Sequence, residues 1–365
     1  MTESELRLQI QKINAPDANI MDAAKKRQAQ LAKPPGSLGA LEDYAIRMAG
    51  ITGQLCPEPN RCRILVLAAD NGVVAEGISS APQSVTASQC INMTRHKTGM
   101  SSLAHYFGDE VVVADVGTVV DLPAPIMNRK IRYGTGNIAV EPAMTRQQAI
   151  DAIAVGMELA RQAKDDAVDI LGIGEMGIGN TTTSAAVLAA LTGRAVEQVT
   201  GRGGGLTEES FLHKKEVIAN ALLLHQPDAA DPIDVLCKVG GLDIAAMCGA
   251  FLGCAHYHIP AVVDGFISIV AALCAFRLCE SVRGYLFLSH ASYELGYRVA
   301  TEELELAPCL LLGMRLGEGS GCPLMFRILQ AACAAHRDMA TFAEVAINDD
   351  YLTPIRQCSA FEVTP

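Results

Sequence analysis

Short apolar runs alternate along the chain with longer segments in which apolar residues recur at helical spacing. Residues 63–70 and 111–117 are apolar runs that predict buried strands, whereas residues 145–164 and 208–225 predict helices. Strands that alternate with helices are typical of α/β proteins, so we predict a doubly wound, mainly parallel sheet flanked by helices. Further strands are predicted at residues 167–171, 260–265 and 284–290, and further helices at residues 87–94, 183–191, 243–255, 267–277 and 323–336.

Two helical segments are predicted before the first strand. Apolar positions at helical spacing extend over residues 6–32, and residues 40–52 follow the same pattern after a loop rich in proline and glycine. Because these helices stand apart from the predicted sheet, they indicate a small subdomain that helices from the other terminus complete. We expect a small helical domain from residues 1–55 plus 325–365, and a large α/β domain from residues 56–324.

The composition argues against several classes of protein. The chain has 365 residues, and its 29 basic side chains are outnumbered by 40 acidic ones, which gives a net charge of −11. Such a charge argues against nonspecific binding to nucleic acid or to an anionic membrane, although it allows a local basic pocket. The most apolar region, residues 244–276, is interrupted by polar residues, and neither half is long enough to span a membrane. The acidic N-terminus lacks the pattern of a signal peptide.

The spacing of cysteine and histidine also bears on the class of protein. The 12 cysteines include no Cys-x-x-Cys pair, and most of them lie in apolar, helix-like runs. Small buried thiols in a reducing compartment explain this pattern better than disulfide bonds do. The eight histidines lack the spacing of metal ligands. We therefore expect a cytoplasmic protein with no metal site and no cofactor.

A glycine-rich segment, residues 171–186, follows the strand predicted at residues 167–171 and leads into a predicted helix. A strand, a glycine loop and a helix together direct backbone N–H groups and the positive end of a helix dipole at one point, which suits a phosphate. Asn180 and Thr181 are suitable N-caps, and the hydroxyls of residues 181–184 can bind the same anion. The segment lacks the Gly-Lys-Ser/Thr ending of a nucleoside-triphosphate loop, so an ordinary turn between strand and helix is the alternative.

Two glutamates in glycine-rich surroundings are candidates for catalysis. Glu175 lies inside the predicted anion site, where a negative charge needs a partner such as ribose hydroxyls or a cationic ring. Glu318 lies between glycines with little charge nearby, so its pKa should be raised, as a general base near neutral pH requires. The alternative is a carboxylate that only offsets a helix dipole. Asp264 ends a predicted strand, where ligands gather in parallel sheets, and Lys214 lies on a helix from which it can reach an anion.

Seven motifs occur in order along nearly the whole chain. The combination of a long central glycine segment with the sequence Leu-Gly-Glu-Gly-Ser-Gly is specific. Together the motifs resemble the nicotinate-nucleotide–dimethylbenzimidazole phosphoribosyltransferases, the CobT family of the pathway to the cobalamin lower ligand. The motifs are residues 33–39, 69–72, 80–86, 172–185, 201–203, 263–265 and 316–321.

The resemblance implies a reaction and the residues that perform it. The family transfers the phosphoribosyl group of nicotinate mononucleotide to 5,6-dimethylbenzimidazole, giving α-ribazole 5′-phosphate and nicotinate. Glu318 matches the family's catalytic glutamate and would remove the benzimidazole proton, while Glu175 and Asp264 would meet ribose hydroxyls or the developing positive charge. Members are typically homodimers with a small helical domain built from both termini. The other residues expected at the site hold the nucleotide and its phosphate (Gly177, Gly179, Asn180, Thr181, Thr182, Gly203, Gly204, Lys214, Ser292 and Gly319) or the acceptor base (Ser80, Gln89, Met176 and Leu316).

One segment departs from the family pattern, and two other functions stay open. Residues 289–297 carry Tyr293 and Tyr297 where the family more usually ends in Ala-Glu-x-Gly-His, so acceptor preference or nucleotide fit can differ. The nearest rival function is a phosphoribosyltransferase that uses a diphosphate sugar and needs magnesium. A rival of another class is a protein that senses a nucleotide without turnover.

Overall fold

A six-stranded parallel sheet organises the structure, a computed structural model in which residues 1–356 are described. The strands are β1 (Cys62–Ala69), β2 (Glu110–Gly117), β3 (Met127–Asn128), β4 (Ile170–Met176), β5 (Ala261–Val263) and β6 (Leu286–Leu288). They lie in the order β3-β2-β1-β4-β5-β6, and each neighbouring pair is parallel. This order confirms the predicted doubly wound α/β fold. It also creates a switch point between β1 and β4, where ligands bind in such sheets.

Helices connect the strands and flank the sheet. The helices are α1 (Glu3–Ile10), α2 (Ala18–Gln30), α3 (Ala40–Thr52), α4 (Val85–Met93), α5 (Gly99–Phe107), α6 (Arg146–Asp165), α7 (Asn180–Thr192), α8 (Val196–Val199), α9 (Glu208–His225), α10 (Pro232–Val239), α11 (Leu242–His256), α12 (Phe266–Leu278), α13 (Leu295–Leu304), α14 (Cys322–Asp338) and α15 (Thr353–Arg356). The bounds of α3 and α9 agree with the predicted ones, whereas the hydrophobic pattern predicted no helix at α5, α10 or α13.

Strand β4 extends further along the chain than the sequence predicted. The prediction placed a strand at residues 167–171 and a glycine loop after it, but the strand includes Gly172 and Gly174. A Cβ atom at Gly174 would lie 2.7 Å from the carbonyl oxygen of Glu318. This glycine therefore lets a segment from the far end of the sequence pack directly on the strand.

Helix α7 begins at a glycine and not at the predicted caps. Gly179 is the N-cap residue, with a φ of 93°, and Asn180 and Thr181 are the first two residues of the helix. Their side chains are therefore not used as N-caps. Asn180 donates a hydrogen bond to Glu175, and Thr181 accepts one from Lys214.

Two central helices are buried on nearly all sides. Almost every side chain of α11 and α12 is buried, and α11 packs between α6 and the sheet. Contact with protein on every side explains why residues 244–276 are so apolar. Within residues 1–356, each helix is either too short or insufficiently apolar to cross a membrane.

The helices near the two termini contact one another. Helices α2 and α3 pack together, and α3 also packs against α14. Arg27 of α2 donates hydrogen bonds to the carbonyl oxygens of His336 and Arg337. Helix α1, in contrast, contacts α6 and α11. The division into residues 1–55 plus 325–365 and residues 56–324 remains a proposal, and its last nine residues, 357–365, lie outside the described part of the chain.

Candidate active site

A cavity of about 260 Å³ opens at the carboxyl end of β4. Its walls come from the loop before α4, the loop between β4 and α7, a glycine-rich loop before α9, and the segments that follow β6 and precede α14. The structure thus brings together side chains that are far apart in the sequence. The predicted residues that line the cavity are Ser80, Gln89, Glu175, Met176, Gly177, Gly179, Asn180, Thr181, Gly203, Gly204, Lys214, Ser292, Leu316 and Glu318.

Three predicted site residues lie behind the cavity wall. The side chain of Thr182 is fully buried in α7. Asp264 is 1% exposed and binds the backbone of Gly319. Gly319 is the third residue, and the cavity lining includes none of the three. These three residues would therefore act on a substrate only through the residues that line the cavity.

One end of the cavity is built to hold an anion. Lys214 on α9 is 1% exposed, and its Nζ donates hydrogen bonds to Oγ1 of Thr181 at 2.9 Å and to the carbonyl oxygen of Gly201 at 3.2 Å. Burial lowers the pKa of Lys214 to about 8, against the opposing effect of Glu294. The positive end of α7 points at the same place, because the helix begins at Asn180. A buried ammonium group, a hydroxyl and a helix N-terminus together suit a phosphate monoester.

The other end of the cavity presents the carboxyl group of Glu318. This residue is 5% exposed, and burial raises its pKa, although nearby Thr98 and Gln89 oppose the shift. Its Oε1 accepts a hydrogen bond from Nε2 of Gln89 at 3.2 Å, and Asn92 fixes the orientation of that amide. Its Oε2 is buried and has no hydrogen-bond partner among the described residues. A carboxyl group with a raised pKa at the wall of a cavity suits a general base near neutral pH.

The backbone of Glu318 is strained. Its φ of 65° lies in the left-handed region, as do the φ angles of Gly317 and Gly319 on either side. This conformation costs a residue with a Cβ atom about 1–2 kcal/mol. The surrounding contacts therefore hold the base in a conformation that its own chain disfavours.

Glu175 lies between the two ends of the cavity in a buried polar network. It accepts hydrogen bonds from Nδ2 of Asn180 and from the backbone N–H of Glu318, the latter at 3.2 Å. The same amide of Asn180 donates to Asp243 at 3.0 Å. Burial, and then the charge of Asp243, raise the pKa of Glu175 to about 8. A carboxyl group that keeps its proton at neutral pH can donate a hydrogen bond to a sugar hydroxyl.

Three further residues of the site, Asp243, Arg202 and Arg315, were not predicted from the sequence. Asp243 is fully buried at the start of α11, and burial raises its pKa to about 6. Arg202 and Arg315 line the cavity. The sequence could have indicated the two arginines as site residues, because each lies inside or beside a glycine-rich motif. Asp243 had a weaker signal, since an aspartate in the first turn of a helix commonly serves only the helix dipole.

The wall around Gln89 is largely apolar. Val85, Met176 and Leu316 line it, and Met176 is 7% exposed while Leu316 is 55% exposed. Ser80 adds a hydroxyl to the same cavity. A flat, mostly apolar heterocycle with one polar edge matches this lining.

The two tyrosines that depart from the family pattern lie outside the cavity lining. Tyr293 is 74% exposed, and the guanidinium of Arg315 lies 5.7 Å from its ring centroid. Tyr297 is 3% exposed, and its hydroxyl has no hydrogen-bond partner within residues 1–356. Either tyrosine would therefore affect substrate choice only indirectly. Tyr293 would do so through Arg315, which contacts its ring and lines the cavity.

The fold and the site together define a phosphoribosyltransferase, and a family model with that description matches residues 13–347. The sheet has the strand order of nucleotide-binding α/β proteins, and the cavity at its switch point combines an anion site with a buried base. The chain belongs to the nicotinate-nucleotide–dimethylbenzimidazole phosphoribosyltransferase family.

Individual relatives agree over almost their full length. The nicotinate-nucleotide–dimethylbenzimidazole phosphoribosyltransferase of Clostridium perfringens is 48% identical over 341 residues, which is 93% of this chain and 94% of the relative. The enzyme of that name from Ruminiclostridium cellulolyticum is 47% identical over 339 residues, covering 93% and 96%. A crystal structure of the Thermus thermophilus enzyme matches with a TM-score of 0.86 at 40% identity, covering 91% of this chain and 99% of that one.

Proposed function

We propose that the protein transfers the phosphoribosyl group of nicotinate mononucleotide to 5,6-dimethylbenzimidazole, forming α-ribazole 5′-phosphate and nicotinate, in the synthesis of the cobalamin lower ligand. One observation carries the proposal most strongly. A single cavity holds a buried lysine site for a phosphate, at Lys214 and Thr181, and a carboxyl group whose pKa is raised by burial, at Glu318. The names of the relatives support the choice of substrates.

The reaction exchanges one carbon–nitrogen bond for another. The bond between C1′ of the ribose and the pyridinium nitrogen breaks, and its electron pair stays on that nitrogen as nicotinate leaves. A ring nitrogen of the benzimidazole forms the new bond to C1′, and the proton on its other nitrogen passes to Glu318. The transition state, in which one bond to C1′ breaks as the other forms, carries positive charge on the sugar, as in glycoside hydrolysis. Glu175, which lines the cavity beside Glu318, would bind the ribose hydroxyls.

The protein's part is to hold the two substrates in position and to accept one proton. Lys214, Thr181 and the positive end of α7 hold the phosphate, so that C1′ lies toward Glu318. Gln89 donates a hydrogen bond to Oε1 of Glu318 and so fixes the orientation of the carboxyl group that takes the proton. The raised pKa of Glu318 favours that transfer near neutral pH.

We expect purified protein to convert equimolar nicotinate mononucleotide and dimethylbenzimidazole into α-ribazole 5′-phosphate and nicotinate in equal amounts, with EDTA present. Liquid chromatography of the mixture measures both products. A parallel reaction replaces the mononucleotide by phosphoribosyl diphosphate with magnesium. Product in that reaction alone would favour the diphosphate-sugar rival. Binding of nicotinate mononucleotide without either product would favour a nucleotide sensor.

We further propose that the enzyme is a homodimer and acts in the cytoplasm. The resemblance to the family supports the dimer. The cysteines of residues 1–356 are free thiols, which supports a reducing compartment.

A further inference from the structure

The loop that carries the catalytic base is held by carboxyl groups from two neighbouring strands. Glu175 is the second-last residue of β4, and its Oε1 accepts a hydrogen bond from the backbone N–H of Glu318 at 3.2 Å. Asp264 follows β5, and its two oxygens accept hydrogen bonds from Gly319 at 3.0 Å and Gly321 at 2.7 Å. Three backbone N–H groups in four residues are therefore bound by side chains of the sheet edge.

Asp264 cannot serve as a direct contact for the substrate in this arrangement. It is 1% exposed, it is absent from the cavity lining, and both of its oxygens are used on the loop. Its own position is fixed as well. Its backbone N–H donates to Oγ of Ser268, and its carbonyl oxygen accepts a hydrogen bond from Oγ of Ser289.

The loop needs such support because its backbone is strained. Residues 317–319 all have positive φ angles, and Glu318 has no glycine-like freedom to relax. The carbonyl group of Glu318 also presses on β4, where only a glycine fits at position 174. A carboxylate that binds the backbone amides of Gly319 and Gly321 holds the loop from the side opposite the cavity.

We propose that Asp264 is a positioning residue for catalysis, which sets the direction of the Glu318 carboxylate by binding the backbone of Gly319 and Gly321. The inference rests on the proposed function. It replaces the contact with the ribose that the sequence suggested for Asp264. Burial raises the pKa of Asp264 to about 7, and the hydrogen bonds from Gly321 and Gly319 oppose that shift. The ionised form suits this role, since it accepts two hydrogen bonds and donates none.

The test is the Asp264→Asn variant. It keeps the size of the side chain but turns one acceptor into a donor that faces a backbone N–H. We expect kcat to fall by about 30-fold, while KM for nicotinate mononucleotide and for dimethylbenzimidazole changes by less than about threefold. A kcat within about twofold of wild type, or a loss confined to KM, would overturn the proposal.

A double variant separates positioning from direct contact with the substrate. If Asp264 acts only through the base, adding Asp264→Asn to Glu318→Gln should lower the residual rate by less than about threefold. A further loss as large as that seen in the wild-type background would show that Asp264 acts on the substrate by another route.

Asp115 provides a control for the loss of a buried carboxylate away from the cavity. It is 2% exposed near the end of β2, binds the backbone N–H groups of Gly117 and Thr118, and pairs with Nζ of Lys130 at 2.8 Å. We expect the Asp115→Asn variant to lose stability but to keep the wild-type kcat at a temperature at which it is folded. A loss of kcat equal to that of Asp264→Asn would contradict a specific role.

Hydrogen exchange on the wild-type enzyme decides the matter if Asp264→Asn does not fold. The amides of Gly319 and Gly321 should exchange as slowly as those of β5, because Asp264 binds both. Fast exchange would overturn the proposal. Wild-type protein that forms no product would instead overturn the proposed function, which distinguishes the two failures.

Discussion

Replacing Glu318 by glutamine is expected to reduce kcat by about 1,000-fold, because glutamine fills the same space but cannot accept the azole proton. KM for nicotinate mononucleotide should change little, since the phosphate is held at the other end of the cavity. Steady-state kinetics with chromatographic detection of nicotinate measures both values. Wild-type kcat in the variant would show that another group takes the proton.

The same residue sets the expected pH dependence. Glu318 acts as a base only when it is ionised, and burial raises its pKa above the ordinary value for glutamate. The kcat of the wild-type enzyme should therefore fall as the pH drops through this raised pKa, and the Glu318→Gln variant should lose that dependence. Glu197, an exposed residue of α8, is a control. Glu197→Gln should leave both the rate and its pH profile unchanged.

Replacing Lys214 by methionine is expected to raise KM for nicotinate mononucleotide by about 100-fold, because a buried charge that binds the phosphate is lost while the side-chain volume is kept. The adjacent Lys215 is a matched control. Its Nζ lies 4.0 Å from the ring centroid of Phe211 and takes no part in the anion site. Lys215→Met should change KM by less than about twofold.

A substrate without the phosphate makes this second prediction specific. Nicotinate riboside should be a poor substrate, and Lys214→Met should slow its conversion far less than it slows that of the mononucleotide. Equal losses with the two substrates would mean that Lys214 does not bind the phosphate, and that its contact with Thr181 serves the fold alone.

The hydrophobic pattern predicted most of the architecture because the sheet is buried on both faces. Strands such as β1 and β2 are short apolar runs, and α6 has a capping box at Thr145 that marks its start. Helix α10 was missed although Asp231 and Pro232 give a recognisable start signal. The helix has only eight residues, which is too short for the helical period to be recognised in the hydrophobic pattern.

The glycines of β4 could not be interpreted from the sequence alone. Gly172 and Gly174 resemble loop residues, yet they lie in a strand because residues about 140 positions later pack against it. The sequence shows that these positions lack a side chain. Only the packing of Cys322 and Glu318 on the strand shows why.

The residues of the candidate site were predicted better than the hydrogen bonds between them. Family motifs placed Thr181 and Glu318 at the site, and Lys214 was predicted to reach the anion from its helix. The structure brings all three residues into one cavity. Asp264 was expected at the ribose because it ends a strand. A side chain at that position can face a ligand or a neighbouring loop, and the course of residues 317–321 decides between the two.

The most direct test of the proposed chemistry is a crystal structure of the Glu318→Gln variant with nicotinate mononucleotide and dimethylbenzimidazole bound. We expect the phosphate within hydrogen-bonding distance of Lys214 Nζ and Thr181 Oγ1, and a ring nitrogen of the azole within about 3.2 Å of the side chain at position 318. A phosphate bound away from Lys214, or an azole whose nitrogens both point away from position 318, would contradict the proposed chemistry.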